Sequence, residues 1–218
     1  METASVRREG VPRREPAAGG EARAWSPADP APLGLAGFAL TTFVLSMFNA
    51  GLINKAGEPV VLGLALAYGG LAQLLAGMWE FRTGNTFGAV AFSSFGAFWI
   101  SFWALVTFFA KDIPAEHAAA AIGLYLIAWG IFTAYMFIAS LRTTAAVSLV
   151  FLLLAITFIV LGIGNSALAG THSATNGTIK LGGYIGLVTA IVAWYASFAG
   201  VINSTFSRTI LPVMPLHR

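Results

Sequence analysis

The chain has 218 residues, of which 57% are hydrophobic and only 10% charged. A soluble domain of this size carries about 25% charged residues. The composition, with a mean hydropathy of +0.79, therefore excludes an ordinary soluble globule and points to lipid, which does not tolerate charge on the surfaces it covers. Cysteine is absent, which removes disulfides, thiolate metal sites and cysteine nucleophiles.

Residues 1–27 come first, as a tail. Arg7, Arg8, Arg13, Arg14 and Arg23 are interspersed with Glu2, Glu9, Glu15 and Glu21, with almost no large apolar side chain. The stretch lacks the apolar centre of a signal peptide and reads as a disordered cytoplasmic tail. Its glutamates dilute the positive field, so no nucleic-acid partner is expected. Residues 28–205 hold six segments that meet the length of about 20 apolar residues needed to cross a bilayer: 33–53, 59–78, 86–110, 118–140, 144–165 and 181–203. Residues 206–218 are a short C-terminal tail. The expected fold is all-α, a polytopic membrane protein with six transmembrane helices per protomer.

An even number of spans puts both termini on one side, and the positive-inside rule selects it. With the termini inside, nine of the twelve basic residues are inside, including every arginine; Lys55, Lys111 and Lys180 are outside. The expected location is the cell (inner or plasma) membrane, multi-pass, with both termini cytoplasmic. Trp25, Trp79 and Trp129 lie near span ends or within reach of them, as an interfacial belt would require, with a deeper position the alternative for Trp129. Trp99, Trp103 and Trp194 sit further in, as packing residues. Small residues four apart, such as Gly182 with Gly186 and Ala72 with Ala76, let helices approach closely, within one subunit or between subunits.

No Asp, Glu, Lys or Arg falls in the middle of a span, although ion-coupled transporters usually bury such groups on their route. Glu80 and Arg82, at the end of the second span, read first as a solvated loop pair, the alternative being groups that titrate or attract an anion, with Glu80 a candidate for proton coupling. Uncharged polar residues are plentiful instead. In the first span Phe38, Thr42, Ser46 and Asn49 recur at spacings that share one helix face. Gln73 occupies the second span, Asn85, Thr86, Ser93 and Ser94 open the third, and Asn165 ends the fifth. In lipid such groups need partners in protein or water. They find them across helix contacts, or along a pore wall whose hydroxyls and amides solvate a carboxylate weakly enough to release it. Thr42, Asn49, Gln73, Asn85, Thr86, Ser94 and Asn165 are the candidate lining.

Two helix starts are candidate anion sites, because helix N-termini carry unpaired N–H groups. In Asp29-Pro30-Ala31-Pro32-Leu33-Gly34-Leu35, Asp29 suits a cap and the prolines suit the first turn. In Arg82-Thr83-Gly84-Asn85-Thr86-Phe87-Gly88, the two glycines suit a tight turn with exposed backbone donors. Asp29, Pro30, Leu33, Gly34 and Gly84 form a candidate vestibule; an ordinary cap and turn is the competing reading.

These same segments resemble the acetate uptake transporter family, which contains bacterial succinate–acetate permease and fungal acetate permeases. The family's opening signature Asn-Pro-Ala-Pro-Leu-Gly-Leu is matched from Asp29 to Leu35, followed by Gly37-Phe38. The run Tyr68-Gly69-Gly70, Gln73, Ala76-Gly77, Glu80, Gly84-Asn85-Thr86-Phe87-Gly88, Ala91-Phe92, Gly96 and Phe98-Trp99 is similar to its second and third helices. Tyr125, Trp129-Gly130, Phe132-Thr133, Gly164-Asn165, and the terminal Phe206, Arg208-Thr209 and Leu211-Pro212 also fit. The resemblance covers residues 28–212. It implies a homo-hexamer of six-helix protomers, each with its own path interrupted by a hydrophobic constriction near mid-membrane. By position that constriction is Phe38, Phe95 and Leu154. Phe95 stands where the family usually has tyrosine, and Asp29 where it has asparagine, so substrate range is the property most open to change.

The resemblance implies passage of small monocarboxylates, chiefly acetate, with succinate a second candidate, by a channel-like or proton-coupled route. Rival readings are a channel for ammonia, water or an inorganic anion, and a membrane scaffold that transports nothing. Acidic rings of a cation channel are not apparent. No enzyme activity, cofactor or metal is expected: His117, His172 and His217 show no metal-ligand spacing, and no nucleophile–base set stands out. The expected partners are small carboxylates, the bilayer and further copies of the chain.

Overall fold

The computed structural model describes residues 25–171, 173 and 175–216. Most of the N-terminal tail, with His172, His217 and Arg218, lies outside them. Among the described residues, six helices are long and apolar enough to cross a membrane: α1 (Ala31–Asn49), α2 (Val60–Thr83), α3 (Thr86–Asp112), α4 (Ala115–Ser140), α5 (Ala145–Ser166) and α6 (Gly177–Thr205). Each predicted segment falls on one of them. The starts of α1, α3 and α5 and the ends of α2, α4 and α6 share one face, called here the terminal face; the other is the far face.

Local chemistry sets the helix ends. The Asp29 carboxylate accepts the Ala31 N–H at 2.9 Å, and Pro32 lies in the first turn of α1. That helix stops short of residue 53 because Gly51 turns to φ +75°, the left-handed conformation that ends helices. Asn85 caps α3 by accepting the Gly88 N–H, and Thr144 caps α5 through Val147. Asn176 caps α6 through Ile179 and also donates to the Gly164 carbonyl at 2.7 Å, which ties the start of α6 to the end of α5. On the terminal face, the chain after α6 folds back so that the Ala145 N–H, at the start of α5, donates to the Met214 carbonyl. The described part of the C-terminal tail thus closes the exposed start of α5.

α2 and α3 are not uniform α-helices. Each contains a widened π turn, Ala67–Ala72 in α2 and Leu105–Phe109 in α3. The first holds Gly69, where an added Cβ would sit 2.6 Å from Thr41 Oγ1 and 2.9 Å from the Trp99 ring. Glycine there lets α1 and α3 close on α2. The most closely packed pairs are α4 with α5, α1 with α6, α5 with α6, and α2 with α3; α3 and α4, consecutive in the chain, meet sparsely. That loose seam is where the interior opens.

One expectation is corrected, and one alternative is decided. Glu80 and Arg82 are not a solvated loop pair: α2 continues past residue 78 to Thr83, and Glu80 is only 1% exposed. Thr83 Oγ1 donates to its carboxylate at 3.1 Å, and the bare backbone of Gly88 leaves room for it. Arg82 points outward, with its guanidinium 5.5 Å from the Trp25 ring. Trp129 takes the deeper of its two positions, its ring 5.1 Å from Phe98. Trp25 and Trp79 are exposed and pack edge to face at the terminal face.

The small residues serve contacts within the chain. Gly182 lies against Leu161, Gly186 against the Ser46 hydroxyl, and Gly183 directly against the Asn49–Ala50 backbone. Without a hydrophobic drive between helices in lipid, such close van der Waals contact is a main source of cohesion. Gly183→Ala should therefore force α1 from α6 and destabilise the protein by about 1–3 kcal/mol, the usual cost of overpacking. Gly63→Ala, with nothing within 4 Å, should stabilise it by up to about 1 kcal/mol, because glycine is unfavourable in a helix interior. Thermal unfolding of the two variants in detergent, followed by tryptophan fluorescence, checks this; equal midpoints would remove close backbone approach as the basis of the α1–α6 contact.

Candidate functional site: an aromatic plug beneath a cavity

The site is assembled from helix faces. On α5, Phe151, Leu154, Phe158, Leu161 and Asn165 recur every three or four residues, so all lie on one side. Phe95, Phe98 and Phe102 do the same on α3, Tyr125, Trp129 and Phe132 on α4, and Phe38, Thr42 and Asn49 on α1. These faces converge at mid-bundle. Phe95 is the hub, with ring centroids 5.9 Å from Phe38, 6.1 Å from Trp129, 5.4 Å from Phe132, 6.0 Å from Phe151 and 6.4 Å from Phe158. Leu154, 3% exposed, belongs to the same continuous buried cluster as Phe38 and Phe95.

One turn further along α3, Phe98 packs edge-on against Phe158 at 5.2 Å and Trp129 at 5.1 Å. The Tyr125 hydroxyl lies 2.7 Å from Ser101 Oγ and donates to the Phe98 carbonyl at 3.3 Å, which pins α4 to α3 at this level. Above Phe98 a cavity of about 710 Å³ reaches the far-face loops. Phe98 and Leu161 are at its inner end, Asn49 and Asn165 contribute amides, and Lys55, Glu58 and Glu116 contribute charge. A narrower cavity of about 350 Å³ adjoins it between α2 and α3, sharing Lys55, Glu58, Phe102 and Val106.

The predicted lining residues fall at three levels. Asn49 and Asn165 line the cavity, and the Asn165 amide donates to the Leu161 carbonyl at 2.8 Å. Thr42, Gln73 and Ser94 lie within the bundle; Thr42 and Gln73 are 6% and 1% exposed, and neither Thr42 Oγ1 nor Gln73 Oε1 has a protein partner. Ser93 Oγ and Trp99 Nε1 are also unpartnered. Buried polar atoms without protein partners are where internal water resides. Asn85 and Thr86 are at the opposite end, the first occupied in capping α3 and the second exposed.

The candidate vestibule residues are also on the terminal face, away from the cavity. Asp29 is committed to the Ala31 N–H, Pro30 is buried and Leu33 exposed. Gly34 lies against the Phe92 ring, and Gly84 ends α2 at φ +78°. Sequence reasoning did not single out Phe98, Phe158 and Tyr125 as wall residues, nor Lys55 and Glu58 as rim residues. The three-four spacing on α5 and α3 was the available signal for Phe158 and Phe98. Among the described residues, no three His, Cys, Asp or Glu side chains gather as they would around a metal.

Comparison with known proteins bears on this geometry. Residues 19–218 match the GPR1/FUN34/yaaH family. Acetate permease A of Emericella nidulans is 46% identical over 195 residues, which is 85% of this chain and 65% of that protein. This chain therefore spans slightly under two thirds of that relative's length. The Escherichia coli protein named succinate-acetate/proton symporter SatP is 38% identical over 190 residues, 87% of this chain and 97% of the relative. A Saccharomyces cerevisiae relative, 43% identical over 180 residues covering 80% of this chain and 61% of its own, is named ammonia transport outward protein 2. The solved structure of the bacterial acetate channel SatP superposes with a TM-score of 0.78 at 37% identity, covering 86% of this chain and 99% of that one.

Because the chain has no natural cysteine, single cysteines report access directly. Asn49→Cys and Asn165→Cys should react rapidly with a small water-soluble maleimide, while Leu154→Cys, beneath the rings, should react far more slowly. Comparable labelling rates at the three positions would show that the plug does not close the route.

Proposed function

We propose, from the premise that this chain belongs to the GPR1/FUN34/yaaH family, that it passes small monocarboxylates, chiefly acetate, across the membrane through a path inside each protomer. The observation that carries the reading is the cavity from the far face ending on a plug of packed rings, with amides at Asn49 and Asn165 above it. The acetate and succinate-acetate names of two relatives and of the structural neighbour support it.

Acetate has one methyl and one carboxylate. In the cavity the carboxylate keeps water and gains amide donors. At the plug the methyl meets Phe38, Phe95 and Leu154, and the rings present their positive edges to the anion. Desolvating a carboxylate is costly, so the apolar stretch must be short, and the packed rings must rotate aside for each passage. Thr42, Gln73 and Ser94 then supply polar contacts within the bundle, with Asn85 and Thr86 toward the terminal face. The same rings exclude water and inorganic ions when closed. Phe95, where the family usually has a tyrosine, brings no hydroxyl, so the plug of this chain selects by shape and apolar contact.

The protein works as a multi-pass protein of the cell membrane with both termini cytoplasmic, a reading supported by the charge asymmetry of the two faces. Apolar stripes such as Leu181, Tyr184, Val188, Ile191, Tyr195 and Phe198 along α6 are exposed; they are available to lipid or to neighbouring protomers of a homo-hexamer. No chemistry is performed on the solute.

Leu154→Ala removes the one aliphatic member of the constriction and should widen what passes. In proteoliposomes, uptake of radiolabelled lactate or succinate relative to acetate should rise roughly tenfold, the change that about 1.4 kcal/mol of lost discrimination represents. Unchanged ratios would take Leu154 out of the gate. Uptake of methylammonium with none of acetate would replace the monocarboxylate reading by that of an ammonia route.

A further inference from the structure

We propose that Lys55 receives the carboxylate at the mouth of the path and that Glu58 is a built-in competitor for it, so that their ion pair is an exchangeable clasp setting the concentration at which the path fills. This rests on the monocarboxylate reading and adds to it two residues outside the plug.

Lys55 Nζ lies 3.1 Å from Glu58 Oε2, the one ion pair among the described residues. Both residues sit on a short turn between α1 and α2, ordered by its own hydrogen bonds. Asn54 Oδ1 accepts the Ala56 N–H at 3.0 Å, and the Glu58 N–H donates to the Lys55 carbonyl at 3.0 Å. The backbone is fixed while the side chains stay accessible, 44% exposed for Lys55 and 25% for Glu58. Both line the large cavity and the narrower one beside it.

Lys55 is the only basic residue among the described residues lining either cavity. Glu116, at the start of α4 on the opposite wall, repels a carboxylate. Within the cavity lining an arriving anion therefore meets one cation, and that cation is already engaged; Lys111 and Lys180 lie on the same face outside the lining. An ammonium has three donors, and exposed ion pairs contribute little to stability. Exchanging one carboxylate for another at Nζ is therefore close to neutral in free energy, and the balance depends on solute concentration. Asn49 and Asn165, on the same cavity wall, are the next polar groups toward the plug.

The consequence is a specific non-additivity. In proteoliposomes, Lys55→Gln should raise the acetate concentration for half-maximal uptake roughly two- to fivefold, the range that exposed ion pairs give, with a much smaller change in maximal rate. Lys55→Arg should retain most of the wild-type value. Glu58→Gln, which frees the lysine and removes a repelling charge from the lining, should lower that concentration, and the same change in the Lys55→Gln background should have a clearly smaller effect, since a coupled pair departs from additivity. Half-saturation unchanged in Lys55→Gln, or an equal benefit of Glu58→Gln with and without the lysine, would overturn the clasp. Failure of the wild-type protein to move acetate at all would instead overturn the monocarboxylate reading beneath it.

Discussion

Everything in the interior is organised around one ring. Phe95 contacts rings contributed by α1, α4 and α5 from its own position on α3, so four of the six helices meet on a single side chain. Aromatic pairs in tilted, edge-on or offset-stacked geometry contribute about 0.5–1.5 kcal/mol each beyond the area they bury. A hub with five such neighbours holds the helices together and occludes the centre at once. In a soluble protein those tasks would be shared with a hydrophobic core. Between lipid-exposed helices, where lipid tails are as apolar as leucine, close packing has to do more of the work.

The same requirement explains why the bundle is tight on one side and open on the other. α1, α5 and α6 are joined by glycines that bring backbone to backbone or backbone to side chain, at Gly183 with Ala50, Gly164 with Ile179 and Gly182 with Leu161. α2 and α3 are joined likewise at Gly77 with Ser93 and Gly96 with Leu74. Large side chains occupy the α3–α4 seam instead, Phe98, Phe102, Tyr125 and Leu126, and they hold those helices apart. The cavity is the space such side chains cannot fill. Its position follows from where glycine is plentiful and where it is not.

Much of this was legible in the sequence. Six apolar segments are unambiguous when charge is confined to their ends, and the face formed by Phe38, Thr42 and Asn49 does point inward. What escaped depended on tertiary context. Glu80 looks like a membrane-edge charge until the Thr83 hydroxyl and the bare backbone of Gly88 enclose it, and neither neighbour is visible as a partner along a line of sequence. The π turn at Ala67–Ala72 shifts the helical phase, so no 3.6-residue count sets the direction of Gln73. The place of Trp129 stays open in the sequence because tryptophan suits both interfaces and aromatic cores. Its neighbours Phe98 and Phe132 decide between them.

On the proposed monocarboxylate reading, a ring plug with no ionisable group suits a small weak acid for a definite reason. A fixed cation at the plug would hold a carboxylate in a low-dielectric setting where its attraction is strong, and release would become slow. A fixed anion would exclude it. Rings that are apolar in bulk yet carry partial positive charge at their edges avoid both outcomes. On either side the neutral groups need water when no solute is present, as the unpartnered oxygens of Thr42 and Gln73 indicate. On that reading a carboxylate reaching them would replace one hydration shell by another. On the same reading the Lys55–Glu58 pair stands at the mouth, where solvent screens charge and an ion pair can exchange partners without trapping the solute.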